Sequence, residues 1–295
     1  MMVKLAPVVF VCLWATGFIG ARMGMPYAEP GVFLSIRFSI VVGLLVGISF
    51  IFHAPWPRKQ EALQSILIGM LIHGFYLGGI FWAIDRGMPA GISAVVVGLQ
   101  PLVTTFLAGW WLKEPITPSH LVSLALGSVG VFLVLLPKLD IANSGITAAT
   151  IAVSFIAMLS ISLGTVLQKK FATNIDLRTG TVFQYVGGLI PVFLLSLTLE
   201  IGEIQWSGEL IFAMFWAVIV LSLFAVFLLM WLIREGSLTK VSSLFFMVPT
   251  VSSIMAYFLY DERLIPLQMF GMALCAIAVT LASHKIAPPV RNKAQ

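Results

Sequence analysis

Charge is what this chain has least of. Asp, Glu, Lys and Arg together make up 10% of its 295 residues, where a soluble domain carries about 25%. With 60% hydrophobic residues and a mean hydropathy of +1.05, no soluble core could hide the apolar surface. A water-soluble enzyme or binding domain is excluded, and a multi-pass integral membrane protein is implied. Cysteine is nearly missing: Cys12 and Cys275 are the only two. Both lie in apolar runs, so neither a disulfide framework nor a thiolate metal site is available. Long polar segments are missing too. The loops are short, which leaves no room for a separate soluble domain, a P-loop or a zinc module, and no cofactor is implied. In such a chain the net charge of +5 reports orientation in the membrane and not nucleic-acid binding.

What the chain has instead is apolar runs. A spanning helix takes about 20 apolar residues, and ten runs approach that length. They are Leu5–Ala21, Gly31–Phe52, Ala62–Ile84, Pro89–Leu112, Leu121–Leu136, Gly145–Leu167, Thr179–Leu199, Leu210–Ile233, Val241–Tyr260 and Leu264–Ser283. Lys4 before the first run also fits a signal peptide. That run outlasts a signal core of about 7–15 residues, so it is read as a retained first span. The predicted fold is therefore an all-α membrane protein of ten transmembrane helices. Pro101 and Pro249 fall inside spans and are expected to kink them, because proline removes a backbone hydrogen bond.

Basic residues set the orientation. With the N-terminus inside, twelve of the 17 Lys and Arg fall on the cytoplasmic side and four outside, and Arg37 lies within a span. Both termini are thus expected in the cytoplasm, with residues 286–295 as a cytoplasmic tail.

The chain also repeats itself. Pro101–Pro118 reads PLVTTFLAGWWLKEPITP and Pro249–Pro266 reads PTVSSIMAYFLYDERLIP. Pro101 and Pro249, Glu114 and Glu262, and Pro118 and Pro266 are each 148 positions apart. Each half, 1–138 and 145–285, holds five spans. Two copies of an odd unit must lie in the membrane with opposite orientation, the plan of secondary transporters with a site near the midplane. On this matching Arg37 falls opposite Gln184.

With these residues in place the sequence resembles the drug/metabolite transporter superfamily in its EamA-like branch. The resemblance is carried by Leu13-Trp14-Ala15-Thr16-Gly17-Phe18, by Pro30 leading to Arg37, and by Ala83, Gly87, Ala90, Pro101 and Lys113-Glu114. Gly236, Pro249 and Asp261-Glu262 carry it in the second half. It extends from about Leu5 to Ser283. It implies a ten-helix carrier of the cell inner membrane working by alternating access, often an exporter of amino acids, other metabolites or drugs. Its partners would be a small-molecule solute and membrane lipid, and its assembly a monomer or a homodimer. The family is diverse in substrate, so no substrate is carried over.

Several side chains are candidates for function, and each has a plainer reading. Arg37 sits roughly 9 Å below the outer end of its span, where a charge is costly and marks function by default. It is read as gating or structural, with snorkelling or a pair with Glu29 or Asp85 as the alternatives. His73 lies mid-span on one face with Gly69 and Tyr76. It suits proton coupling or a substrate carboxylate, or a single interhelical hydrogen bond. Gln100 and Thr104 lie one turn apart beside Pro101, as a binding surface or as caps for the kink. Ser243, Thr250 and Tyr257 recur every seven residues around Pro249, and Ser154, Thr165 and Gln168 mark the sixth span. Trp14, Tyr76 and Tyr257 lie at depths suited to lining a cavity. Glu114 and Glu262 occupy opposite membrane faces and cannot form an acid–base pair, so they are read as turn residues. A polytopic enzyme would need converging titratable groups and a scaffold would need a large loop, and the sequence offers neither.

Overall fold

The computed structural model describes residues 2–138, 146–260 and 264–283. Asp261, Glu262, Arg263 and the C-terminal tail lie outside these. The described residues form ten long helices. They are α1 (Met2–Gly24), α2 (Pro30–Ile51), α3 (Lys59–Asp85), α4 in two pieces (Ala90–Val97 and Gln100–Trp111), α5 (Pro118–Leu135), α6 (Ala148–Phe171), α7 (Leu177–Leu199), α8 (Gly208–Glu235), α9 (Leu238–Ser243, then Leu244–Phe246 as a 3₁₀ turn, then Met247–Tyr260) and α10 (Pro266–Ser283). Eight are long and apolar enough to cross a membrane, and α1 and α10 carry the shorter apolar stretches Leu5–Gly17 and Pro266–Ala282. Large apolar side chains such as Phe50, Trp110 and Phe258 point outward on the bundle surface, as a lipid-facing wall requires.

Local chemistry sets the helix starts. Thr117 Oγ1 accepts from His120 N–H and Pro118 follows at the first position, so α5 starts three residues before its apolar run. Ser207 Oγ accepts from Leu210 N–H at the start of α8, and Asp176 Oδ1 accepts from Arg178 N–H at the start of α7. Glu114, in the α4–α5 turn, reaches across the repeats. Both its carboxylate oxygens accept from Leu238 N–H, at 3.1 and 3.0 Å, and so cap α9. The negative charge also meets the positive end of that helix.

The inversion is visible in the crossing of α5 with α10, which occupy the same place in the two repeats. Ser119 Oγ donates to Leu281 O, Ser123 Oγ to Ala278 O, Cys275 Sγ to Gly127 O, and Gln268 Nε2 to Val134 O. As the α5 residue number rises through 119, 123, 127 and 134, its α10 partner falls through 281, 278, 275 and 268, so equivalent helices run antiparallel. Gly127 and Cys275 are 148 residues apart, so each is the other's counterpart and the pseudo-two-fold axis passes between them. Close approach there needs glycine: a Cβ on Gly130 would lie 2.8 Å from Gly271 O, and one on Gly271 would lie 2.7 Å from Gly130 O.

The helix breaks obey the same symmetry. α4 is interrupted at Gly98-Leu99 and α9 tightens at Leu244–Phe246. The breaks thus fall just before Pro101 and Pro249, and Pro101 opens a new helical piece. A second pair of irregularities has no proline at all. α3 widens to a π-helix at Met70–Phe75 and α8 at Ala217–Ala225. These lie at matching heights, since the two helices begin at 59 and 208 and end at 85 and 235.

On the face where α1 ends and α8 begins, two loops lock onto each other. Glu200 accepts from Gly31 and Val32 N–H, at 2.7 and 3.0 Å, and so caps α2. Glu29 accepts from Ile201, Gly202 and Glu203 N–H, with Gly202 at φ +84° in the left-handed region that glycine tolerates. Glu29 is thereby occupied in this latch and does not pair with Arg37. Burial, together with the charges of Glu29 and Asp85, holds the Glu200 carboxyl above its ordinary range despite the two N–H donors.

The other face carries the Asp176–Arg178 pair at 2.9 Å. The Arg178 hydrogen bonds hold the Asp176 carboxyl below its ordinary range. Its contribution to stability is therefore whole above about pH 4 and lost as pH falls through the folded value. Asp176→Asn is expected to melt below wild type at pH 7 and to converge with it in acid. Parallel melting curves at every pH would refute this.

Candidate functional site

Three groups of side chains inside the bundle bring candidate residues together. The first joins α2, α3, α7 and α8. Arg37 is 5% exposed and donates from Nε to Ser222 Oγ at 2.9 Å. Its guanidinium also lies 5.9 Å from the centre of the Phe38 ring. Tyr185 donates its hydroxyl to Ser222 O at 3.3 Å, and its ring stacks on His73 at 4.3 Å with 11° between planes. Phe38 lies edge-on to His73 and tilted against Tyr185. Among the described residues no carboxylate pairs with Arg37, and His73 Nε2 has no hydrogen-bond partner. Sequence reading had singled out Arg37 and His73. It had not singled out Tyr185 or Ser222, nor brought the four together.

The pairing of Arg37 with Gln184 is off by one. The 148-residue offset matches Arg37 to Tyr185, and it is Tyr185 that turns toward Ser222 and His73. Gln184 turns away and donates to Gln168 Oε1 at 2.7 Å.

The second group surrounds the break in α4. Gln100 is fully buried and donates from Nε2 to Thr104 Oγ1 at 3.2 Å, while its main-chain carbonyl accepts from Ser162 Oγ of α6 at 3.4 Å. Gln100 Oε1 is left without a partner. The amide thus braces the kink through its Nε2 while its buried Oε1 stays unpaired. Thr165 hydrogen-bonds within α6, to Ile161 O, and Ser154 contacts Met88 Sδ at 3.2 Å. Tyr76 belongs to the apolar packing beside this group, with Ile80, Ala157 and Ile161.

The third group is aromatic and joins α1, α8 and α9. Trp14 meets Phe10 at 5.3 Å and Phe245 at 5.4 Å between ring centres. Trp216 Nε1 donates to Thr16 Oγ1 at 2.9 Å, two residues along α1 from Trp14. Trp216 immediately precedes the π segment of α8, and Phe245 lies in the 3₁₀ turn of α9, so both irregular helices abut α1 here. Further along α9 the expected stripe separates: Thr250 is buried, whereas Tyr257 is 45% exposed beside Phe258. A groove of about 570 Å³ also opens between α1, α9 and α10, lined by Val11, Cys12, Val241, Leu244 and Val279, with Glu235 and Lys240 at the α8–α9 turn. None of the candidates read from sequence lines it. Among the described residues no three His, Cys, Asp or Glu side chains gather as a metal site.

Comparison with known proteins agrees with this architecture. The model of the EamA-like transporter family matches twice, over residues 3–136 and 148–284. Protein PecM of Dickeya dadantii is 26% identical over 88% of this chain and 85% of its own. A probable amino-acid metabolite efflux pump of Escherichia coli is 24% identical over 90% and 89%. The uncharacterized transporter YvbV of Bacillus subtilis is 23% identical over 93% and 89%. A crystal structure at 16% identity superposes with a TM-score of 0.77 over 95% of both chains, which supports the fold.

Proposed function

The chain belongs to the EamA-like transporter family, and from that premise we propose that it is a secondary exporter of small organic solutes working by alternating access. The carrying observation is the inverted pair of repeats, in which α4 and α9 are broken and α3 and α8 are widened at matching depths. Broken helices near the midplane, at the interface of inverted repeats, are where secondary transporters bind their solutes. In this reading the repeats span 1–138 and 145–285, both termini are cytoplasmic, and the membrane is a cell inner membrane. Amino acids and related metabolites are the first solutes to try, since one relative is named a probable amino-acid metabolite efflux pump.

In a conformer that opens the α4 break, the solute would meet Trp14, Gln100 and Thr104, all but Trp14 buried in the present arrangement, with Tyr76, Thr250 and Tyr257 as further lining residues. His73 is buried and stacked on Tyr185 of α7, which favours a role in proton coupling or conformational change over direct contact. The test is counterflow in proteoliposomes over a panel of amino acids, nucleosides and cationic drugs. Saturable exchange of at least one solute is expected. A panel without saturable exchange in either direction, using protein shown to be folded by melting, would overturn the reading.

A further inference from the structure

The four residues around Ser222 are related by the molecule's own symmetry. Arg37 and Tyr185 are 148 residues apart, on the equivalent helices α2 and α7. His73 and Ser222 are 149 apart, the same offset as the starts of α3 and α8 at 59 and 208, where the second repeat has gained one residue, and both lie within the equivalent π segments. The inversion therefore carries the contact of Arg37 with Ser222 onto the contact of Tyr185 with His73. The first is a 2.9 Å hydrogen bond and the second a 4.3 Å ring stack. Tyr185 also donates to Ser222 O and so ties the two contacts together.

We infer that Arg37, Ser222, Tyr185 and His73 form one joint through which the π segments of α3 and α8 change conformation together, with Ser222 and Tyr185 as its positioning residues. Three physical features support this. A π turn marks functional sites in helices, and here Tyr185 of α7 reaches into the π segment of α8 to donate to Ser222 O. Next, the buried guanidinium is held by a neutral hydroxyl and an aromatic face. Polar contacts between membrane helices are worth about 0.6–2 kcal/mol, whereas breaking a buried ion pair costs about 3–5 kcal/mol. A joint built from the weaker kind can open and close within the few kcal/mol that separate conformers in working proteins. Finally, His73 Nε2 is buried without a partner, so the present arrangement leaves one polar group of the joint unsatisfied and gains nothing from holding it there.

The inference rests on the transporter reading for its purpose but not for its detection. Hydrogen–deuterium exchange of the purified protein, followed by peptide mass spectrometry, reads it without any solute. Ser222→Ala is expected to speed exchange severalfold in Ala217–Ala225 and also in Met70–Phe75, a segment that Ser222 does not hydrogen-bond. Ser222→Thr keeps the hydroxyl and should restore both. With a transported solute, Ser222→Ala and Tyr185→Phe should lower the maximal counterflow rate at least tenfold and leave the half-saturating concentration within twofold. An exchange change confined to Ala217–Ala225 would overturn the joint, as would wild-type rates in both variants. Coupled exchange in a protein that moves no solute would keep the joint and sink the transporter reading instead.

Discussion

Gly187→Ala and Gly69→Ala are each expected to prevent accumulation of folded protein. The two glycines form a reciprocal crossing of α3 with α7. A Cβ on Gly69 would fall within the Gln184 main-chain carbonyl, and one on Gly187 within that of Ile66. Backbone cannot swing aside as a side chain can, so the helices must separate. Inserting even one methylene into a well-packed interior costs about 1–3 kcal/mol, and more when backbone has to move. Separation would also unstack His73 from Tyr185, because Gly188, the next residue, packs directly on the His73 Cβ. Gly43→Ala and Gly47→Ala are the internal controls. They form the GxxxG pattern of α2, yet nothing lies within 4 Å of a Cβ at either position. These two should leave yield and melting temperature unchanged. Size-exclusion profiles and melts of the four variants check the contrast. A normal melt for Gly69→Ala and Gly187→Ala would show that this crossing is looser than the structure states.

That contrast marks where sequence reasoning worked and where it stopped. Composition and run length gave ten spans, and five spans per repeat required inversion. Both follow from solvent chemistry and counting, which need no contacts. Pro101 and Pro249 announced the breaks in α4 and α9 because proline breaks helices through its own covalent structure. The π segments had no such herald. Met70–Phe75 and Ala217–Ala225 contain no proline, and they pack against α7 and α1 respectively, contacts that only tertiary structure supplies. Gly43-xxx-Gly47 and Gly74-xxx-Gly78 read alike in sequence. In the fold one faces outward and the other meets Pro191 and Val192 of α7, because the face a helix turns inward is not written in the spacing of its glycines.

The candidate site shows the same division. Arg37 is conspicuous as a charge in an apolar span, and in the sequence its evident partners are the carboxylates Glu29 and Asp85. Glu29 was already taken by the amides of residues 201–203. The real partner is a serine hydroxyl 185 residues away in sequence, with no charge to betray it. Tyr185 was within reach of sequence reasoning. Carrying the 148-residue offset strictly from Arg37 lands on it, whereas matching polar residue to polar residue landed on Gln184.

Arg37→Met is expected to raise stability and abolish function together. An arginine at the centre of a membrane helix costs about 2.5–3.5 kcal/mol on insertion scales and less toward its ends, and here no described carboxylate offsets the cost to the buried Arg37. Methionine fills comparable space without charge, and replacing buried ionic groups by apolar ones of similar volume is often neutral or stabilising by about 1–4 kcal/mol. The substitution leaves Ser222 Oγ without its donor, a loss of about 1–3 kcal/mol at most, and a hydroxyl in a helix can turn back to a main-chain carbonyl, as Ser162 does to Met158. The balance favours a melting temperature equal to or above wild type. Transport should still fall at least tenfold, since the cation that bridges α2 to the π segment of α8 is gone. Arg37→Lys, which keeps the charge but loses the planar Nε donor to Ser222, should recover little of the rate. A residue retained only for packing would behave in the opposite way, with stability falling and the rate per folded molecule preserved. Melting and counterflow measured on the same preparations separate the two, and a destabilised Arg37→Met that transports normally would assign Arg37 to structure alone.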